Sequence, residues 1–206
     1  MKLCMIGTGY VGLVSGTCFA DIGNQVYCVD KDKNKIDKLN SGFSTIYEPG
    51  LDELIKKNFD ARRLFFTTDI KKAINSSDLI FICVGTPTKK GSLKVDLSFV
   101  YKCVKEILKH TKKKKIIITK STVPVGTGDV IEKILKKKNK LFSIISNPEF
   151  LREGEAVRDF RYPDRIVIGS DDKSKFKTMR KLYSPLISKG AKFFTTSRKG
   201  AELIKY

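Results

Sequence analysis

The stretch KLCMIGTGYVGLVSGTCFADIGNQVYCVD, residues 2–30, decides the fold. A short apolar run leads into a glycine-rich loop, a helix-length segment follows, and a second apolar run ends at Asp30. The loop has the pattern G-x-G-x-x-G between a strand and a helix. There the first glycine permits a tight turn, the second lets backbone approach a pyrophosphate, and the third lets helix and strand pack closely. The stretch therefore predicts a dinucleotide site formed by Gly7, Gly9, Tyr10, Val11 and Gly12.

An acidic residue follows the second predicted strand. Asp30 lies 18 residues after Gly12, close to the ~20-residue offset of a carboxylate that binds a ribose 2′-hydroxyl. A carboxylate would repel a 2′-phosphate, so Asp30 favours NAD over NADP as the cofactor. Lys31 and Lys35 weaken this inference, because either could pair with a phosphate, and Lys35 could also border the adenosine pocket. The alternative is a glycine turn followed by an ordinary surface aspartate.

Strand and helix signals alternate along the rest of the chain. Apolar runs predict strands at 64–67, 79–84, 115–120, 142–146, 166–169 and 192–195, with helices between most of them. Residues 147–160 are a longer irregular segment with helical character. The alternation predicts a Rossmann-like α/β fold, a doubly wound, largely parallel sheet with helices on both faces.

The predicted domain organisation is one cofactor-binding domain followed by the start of a further element. We assign residues 1–196 to the domain and residues 197–206 to a connecting helix that Ser197 can cap. That helix reaches Tyr206 without the glycine or polar residues that usually end one, which predicts a fragment of a longer protein. We expect its last turn, with Lys205, to fray.

The charge of the chain raises the question of nucleic acid. The formal net charge is +19, but only 8 of the 41 basic residues are arginine, and the lysines are spread along the chain. The densest runs, 112–115 and 136–138, fall at predicted helix ends, where they complement the helix dipole. We therefore predict a solvated lysine surface that favours anionic ligands, and no nucleic-acid partner.

The five cysteines and the lengths of the apolar runs indicate where in the cell the protein resides. No cysteine pair has CxxC spacing, so we predict buried thiols and no metal site. No apolar run approaches the ~20 residues that span a bilayer, so no membrane association is expected. The N-terminal stretch lacks the pattern of a signal peptide, and we predict a cytoplasmic protein.

Six ordered blocks make the chain resemble the family of UDP-glucose and GDP-mannose dehydrogenases. They are the glycine loop with its helix, IYEPGLDEL at 46–54, FICVGTPT at 81–88, KSTVPVGT at 120–127, NPEFLREGEAVRDFRYPDRIVIG at 147–169, and the terminal AELIKY. The NPEFLREG block with its following PDR is most similar to the UDP-glucose members. UDP-N-acetylmannosamine and GDP-mannose members share the other blocks, so these substrates remain open.

The resemblance implies further site residues. Two turns end strands, where ligands bind in such sheets, so we expect both to face the cofactor through Gly85, Thr86, Pro87, Ser121 and Thr122. The alternative is that these residues only form ordinary turns, in which Gly, Pro and Thr are common. Within NPEFLREG, the sugar pocket would include Glu149, Phe150, Leu151, Arg152 and Glu153. Glu149 and Glu153 would share one side if that segment were helical, and Glu153 would also lie near the nicotinamide.

The resemblance also implies a reaction. Members oxidise the sugar C6 alcohol to a carboxylate with two NAD, through a thioester on a cysteine. It assigns catalytic roles to Glu149 as an acid/base, to Lys205 in stabilising an oxyanion, and to Thr122. None of the five cysteines matches the family's nucleophile, so we expect the fragment to be inactive by itself. We expect UDP-glucose as the substrate and a homo-oligomeric full-length protein, with a stand-alone NAD-binding module as the alternative.

Overall fold

A computed structural model describes residues 1–89, 91–111, 113–137 and 142–205 of the chain. Its centre is one eight-stranded sheet in the order β3-β2-β1-β4-β5-β6-β7-β8. The strands are β1 Lys2–Ile6, β2 Gln25–Val29, β3 Leu64–Thr67, β4 Leu79–Ile82, β5 Lys115–Thr119, β6 Phe142–Ser146, β7 Arg165–Gly169 and β8 Lys192–Thr196. The order reverses after β1, so the carboxyl ends of β1 and β4 border the crevice where such sheets bind ligands.

The predicted doubly wound, largely parallel sheet is confirmed, with one exception. Every neighbouring pair of strands is parallel apart from β6 and β7, which meet antiparallel at Ser146 and Gly169. A parallel connection needs a crossover of about a dozen residues or more. The 18 residues between β6 and β7 exceed that minimum and contain one six-residue helix, so the length of the connection does not account for the reversal.

Helices cover both faces of the sheet. They are α1 Tyr10–Asp21, α2 Lys33–Asn40, α3 Leu51–Asp60, α4 Ile70–Ser76, α5 Ser98–His110, α6 Thr127–Lys136, α7 Ala156–Arg161, α8 Ser174–Leu182, α9 Ser184–Ile187 and α10 Arg198–Lys205. One apolar cluster joins α1, α2, α3, α7, α8 and α9 to the first face, and a second joins α4, α5 and α6 to the other. Strands buried on both faces explain why their sequences are continuous apolar runs.

The segment after β6 differs from the expectation. Residues 147–152 have no regular secondary structure, residues 153–155 form a turn, and α7 begins only at Ala156, so Glu149 and Glu153 do not share a helix face. Their spacing is overridden because the start of the segment is fixed by tertiary hydrogen bonds. Asn147 Nδ2 donates to the Val167 carbonyl oxygen at 3.0 Å, and its Oδ1 accepts from the Tyr183 hydroxyl at 2.6 Å.

The last helix, α10, is anchored to the body of the domain by charged groups. Glu202 is buried and accepts hydrogen bonds from the backbone N–H groups of Gly126 and Gly128, at 2.7 and 2.8 Å. Arg198, also buried, pairs with carboxylates of Asp129, Glu132 and Asp171. A carboxylate at the start of α6 is favoured by the helix dipole, so α10 is held at a defined position. In the part of the chain that the structure describes, no helix is long and apolar enough to cross a membrane.

Candidate functional site

One cavity at the carboxyl ends of the strands adjoins the glycine loop, and we call it the dinucleotide cavity. Its volume is about 910 Å³, within the usual range for ligand sites. It is lined by Gly7, Gly9, Asp30, Lys35, Gly85, Thr86 and Pro87 of the predicted residues, together with Lys31, Phe99 and Lys102. Tyr10, Val11, Gly12, Ser121, Thr122 and Glu153 do not line it.

The three loop glycines meet three different demands. Gly7 has φ +104°, and a Cβ there would lie 2.7 Å from the Cys83 carbonyl oxygen. A Cβ at Gly12 would overlap the Gly7 carbonyl oxygen, so this glycine permits the close approach of α1 to the loop. A Cβ at Gly9 would meet no atom within 4 Å, so the fold itself does not require glycine there.

The start of α1 fits the diphosphate of a dinucleotide. The N–H groups of Tyr10, Val11 and Gly12 lie in the first turn, which has no intrahelical acceptors for them. Within the described ranges none of the three donates a hydrogen bond to another group. Gly9 leaves the adjoining space open. Unpaired donors at a helix N-terminus beside a side-chain-free residue form an anion site, so these residues fit NAD.

Asp30 lines the same cavity at the end of β2. Its Oδ2 accepts from the backbone N–H and the hydroxyl of Thr8, both at 2.9 Å, and its Oδ1 accepts from the Asp32 N–H at 3.1 Å. Burial alone would raise the pKa of Asp30, but these hydrogen bonds and the Lys35 charge outweigh it and lower the pKa. A carboxylate can accept about four hydrogen bonds, so an ionised Asp30 retains capacity for a ribose hydroxyl.

The two strand-end turns contact each other. The Thr86 hydroxyl donates to the Thr122 carbonyl oxygen at 2.8 Å, and the Ser121 hydroxyl donates to the Val84 carbonyl oxygen at 2.7 Å. The turn after β4 lines the dinucleotide cavity, whereas the turn after β5 supports it from behind. Gly85, Thr86 and Pro87 of the first turn line this cavity, whereas Ser121 and Thr122 of the second turn do not.

The second cavity, which we call the strand-end cavity, lies beyond the ends of β5, β6 and β7 and has a volume of about 590 Å³. Glu149, Phe150, Leu151 and Arg152 line it, whereas Glu153 and Lys205 do not. Lys205 joins it indirectly, because its Nζ lies 3.0 Å from Glu149 Oε1 and 5.6 Å from the Phe150 ring centroid. The other oxygen of Glu149 accepts from the Leu151 N–H at 2.7 Å.

Arg152 and Glu153 lie apart from the Glu149–Lys205 pair. The Arg152 guanidinium forms a two-pronged ion pair with Asp159, through Nε at 3.0 Å and Nη2 at 2.6 Å. Glu153 is exposed, and its charge helps to raise the pKa of Tyr10. Burial and the Glu48 carboxylate are the larger causes of that rise. The Tyr10 side chain therefore faces Glu48, although its N–H belongs to the anion site.

Lys120 was not among the predicted site residues, yet it lines the strand-end cavity and is 4% exposed. Burial lowers the pKa of its ammonium, and the Lys205 charge lowers it further. The sequence carried a usable signal. A lysine directly after an apolar strand lies at the edge where these sheets bind ligands. Glu48 and Glu202 were also missed, and both carboxylates bind backbone N–H groups of other segments.

The five cysteines are all buried and free, as predicted. Burial raises the pKa of Cys18 and Cys83 to about 12 and that of Cys103 to about 11, and it also raises the pKa of Cys4 and Cys28. A nucleophilic cysteine needs a lowered pKa and access to its substrate. All five thiols lack the first property, although Cys83 and Cys103 line the dinucleotide cavity.

Comparisons with known proteins agree with this geometry. The family model described as "UDP-glucose/GDP-mannose dehydrogenase family, NAD binding domain" matches residues 1–187. The UDP-glucose 6-dehydrogenase of Rhizobium meliloti is 50% identical over 210 residues, which cover 100% of this chain and 48% of that relative. The chain thus spans about half the length of the curated relative it matches.

Solved structures share the fold along the whole chain. A GDP-mannose dehydrogenase from Pseudomonas aeruginosa superposes with a TM-score of 0.91 at 37% identity, over 100% of this chain and 48% of that one. A UDP-glucose dehydrogenase from Pyrobaculum islandicum gives 0.91 at 34% identity, over 99% and 48%. The chain belongs to the UDP-glucose/GDP-mannose dehydrogenase family and contains that family's NAD-binding domain.

Proposed function

We propose that this chain is the cofactor-binding half of an NAD-dependent UDP-glucose 6-dehydrogenase, which oxidises the C6 alcohol of UDP-glucose to a carboxylate. The observation that carries the proposal is the adjacency of two sites at one edge of the sheet. The turn after β4 lines the dinucleotide cavity, and the neighbouring strand β5 leads to Lys120 in the strand-end cavity. A hydride transfer requires such adjacency, because cofactor and alcohol must meet in one geometry.

The residues of this chain would divide the work as follows. NAD, when bound, supplies the hydride acceptor. The N–H groups at the start of α1 hold its diphosphate, and Asp30 accepts from its ribose. Thr122 supports the cofactor side through its contact with Thr86. Glu149 would act as the acid/base at the sugar C6 oxygen, and Lys205 would stabilise negative charge on that oxygen.

UDP-glucose is favoured because two curated relatives at 50% and 48% identity over the whole chain are both UDP-glucose 6-dehydrogenases. Identity to the two solved structures does not separate the substrates, since it is 37% for the GDP-mannose dehydrogenase and 34% for the UDP-glucose dehydrogenase. GDP-mannose or UDP-N-acetylmannosamine is the alternative substrate. We also propose a cytoplasmic location, supported by five free cysteines, and a homo-oligomeric full-length enzyme. We also propose that the cofactor-binding domain ends at residue 196 and that a connecting helix begins at residue 197.

The protein that carries out the whole reaction would need a nucleophilic thiol from outside these residues. We therefore propose that the 206-residue chain binds NAD and makes no NADH from UDP-glucose. The test measures NADH absorbance with saturating UDP-glucose and NAD. It compares the chain alone with the same chain joined to the second half of a family UDP-glucose 6-dehydrogenase.

We expect NADH from the joined protein only, and loss of that activity on Lys205→Ala or Glu149→Gln, with Lys205→Ala the more severe. Steady NADH formation by the chain alone would overturn the assignment of the thiol to another segment. Activity of the joined protein with GDP-mannose but not with UDP-glucose would replace the proposed substrate.

A further inference from the structure

Strand β5 has a buried lysine at each end, and the two differ in their partners. Lys115 and Lys120 are each 4% exposed. The Lys115 ammonium donates to the Ser77 carbonyl oxygen. The Lys120 ammonium has no hydrogen-bond or ion-pair partner within residues 1–89, 91–111, 113–137 and 142–205. Burial of the side chain disfavours the charged form of the amine, but the Nζ atom itself is not fully enclosed, so water or a ligand in the cavity can complete its surroundings.

The surroundings of Lys120 leave it open toward the strand-end cavity. It follows Thr119 of β5, which pairs with Ser146 of β6, so Lys120 and Asn147 lie side by side at the strand ends. Both line the cavity. The Lys120 N–H is used in a backbone hydrogen bond to Ile82, but the side-chain amine is not used.

Three ionisable groups act on the Lys120 amine, one from each neighbouring element. They are Cys83 after β4, Glu149 after β6 and Lys205 in α10. Cys83 is a neutral thiol, because burial raises its pKa to about 12. The two Glu149 oxygens already accept from Leu151 and Lys205. Glu149 is thus occupied by Lys205 and Leu151, and Lys120 has no carboxylate partner among the residues that the structure describes.

A ligand anion would change the ionisation of Lys120. Burial and the Lys205 charge lower the pKa of the amine, because both oppose its charged form. A carboxylate within hydrogen-bond distance favours the charged form, so its binding would be accompanied by uptake of a proton. A sugar alcohol at the same position carries no charge and would take up little or none.

We propose that Lys120 is a ligand-binding residue of the strand-end cavity, which contacts the oxidised end of the sugar and binds a carboxylate there more tightly than an alcohol. The inference rests on the proposed function and deepens it. The enzyme would hold its acid product more firmly than its alcohol substrate, and release of that product would be coupled to loss of a proton from Lys120.

The test follows the lysine side chains of the 206-residue chain by NMR, with ¹³C,¹⁵N-labelled lysine. Lys120→Met identifies the Lys120 signal. UDP-glucose and UDP-glucuronate are titrated in, and the pH dependence of the signal is recorded with each. We expect the midpoint to rise with UDP-glucuronate and to stay unchanged with UDP-glucose. We also expect UDP-glucuronate to bind at least about tenfold more tightly, the size of one charge-assisted hydrogen bond.

Matched variants separate this role from a structural one. Lys120→Met should reduce the difference in affinity between UDP-glucuronate and UDP-glucose to within about twofold. Lys120→Arg, which is always charged, should retain the preference and lose the proton uptake. Lys115→Met removes the other buried lysine and should change neither the preference for UDP-glucuronate nor the proton uptake.

Two outcomes would overturn the inference and leave the proposed function standing. In the first, the ligands shift other signals of the cavity but not the Lys120 signal. In the second, Lys120→Met keeps the preference for UDP-glucuronate. If neither nucleotide sugar perturbs any signal when this chain is joined to the second half of a family UDP-glucose 6-dehydrogenase, while NAD binds, the proposed substrate is wrong and the inference falls with it.

Discussion

The Lys205 ammonium lies 3.0 Å from Glu149 Oε1, joining the last residue of α10 to the loop that follows β6. The pair is mostly shielded from water, since the lysine side chain is 25% and the glutamate side chain 10% exposed. This differs from the frayed final turn that the sequence predicts for Lys205. The difference arises because Glu202 and Arg198 fix α10 one and two turns earlier.

We predict that Glu149 and Lys205 are energetically coupled. In a double-mutant cycle with Glu149→Gln and Lys205→Met, the unfolding free energies should give a coupling of about 0.5–3 kcal/mol. The matched control is the more exposed pair Lys175–Asp172, at 3.2 Å, whose coupling should stay below about 1 kcal/mol. Additive effects at Glu149 and Lys205 would show that the two residues do not act as a pair.

Gly9 and Gly12 should respond to substitution in opposite ways. Gly9→Val should keep the unfolding midpoint close to that of the wild type and abolish NAD binding, because its side chain would enter the space beside the anion site. Gly12→Ala should instead destabilise the protein by more than about 1 kcal/mol, since its Cβ overlaps the Gly7 carbonyl oxygen. Calorimetry with NAD and thermal unfolding measure the two effects. NAD affinity of Gly9→Val within about twofold of wild type would refute this role for the loop.

Asp30→Ala should weaken NAD binding, narrow the preference for NAD over NADP, and destabilise the domain by about 1–3 kcal/mol, because donors of Thr8 and Asp32 lose their acceptor. The control, Asp32→Ala, removes the cap of α2 at a cost of about 1 kcal/mol and should leave the preference intact. Calorimetry with both cofactors and denaturant unfolding measure these effects. Equal affinities of the wild type for NAD and NADP would contradict the assignment.

The lowered pKa of Asp30 gives this stabilisation a pH dependence. An ionised carboxylate with a lowered folded-state pKa stabilises the protein fully above its unfolded value, about 3.9. The contribution is lost as the pH falls from there through the folded-state value. The difference in stability between wild type and Asp30→Asn should therefore shrink as the pH is lowered below about 4. If the difference in unfolding free energy between the wild type and Asp30→Asn grows as the pH falls, the pKa of Asp30 is raised in the folded protein rather than lowered.

Glu202→Ala should loosen α10 and displace Lys205. It leaves the N–H groups of Gly126 and Gly128 without their acceptor, which should cost about 1–3 kcal/mol for each buried donor. Hydrogen exchange at these two amides should accelerate, and the coupling between Glu149 and Lys205 should weaken. Glu155→Ala, which removes an exposed carboxylate, should change the stability by no more than about 0.5 kcal/mol. Unchanged exchange at Gly126 and Gly128 would show that Glu202 does not anchor the helix.

The sequence by itself determined the sheet, the glycine loop and the position of Asp30. Apolar runs of strand length alternating with helical segments can satisfy their buried backbone only as a covered, largely parallel sheet. Two constraints lie within the loop itself, because Gly7 has a positive φ and a Cβ at Gly12 would overlap the Gly7 carbonyl oxygen. Local constraints of this kind can be predicted from a short stretch of sequence.

The tertiary structure decided how the strand-end cavity is assembled. The spacing of Glu149 and Glu153 suggested a shared helix face, but Asn147 is held by Val167 and Tyr183, so the segment stays extended there. The position of Lys120 after an apolar strand is a usable signal, and the family resemblance pointed to Lys205, but only β5 and α10 place the two lysines near Glu149. Their chemistry depends on burial and on partners distant in the chain, and both are set by long-range packing rather than by the residues on either side.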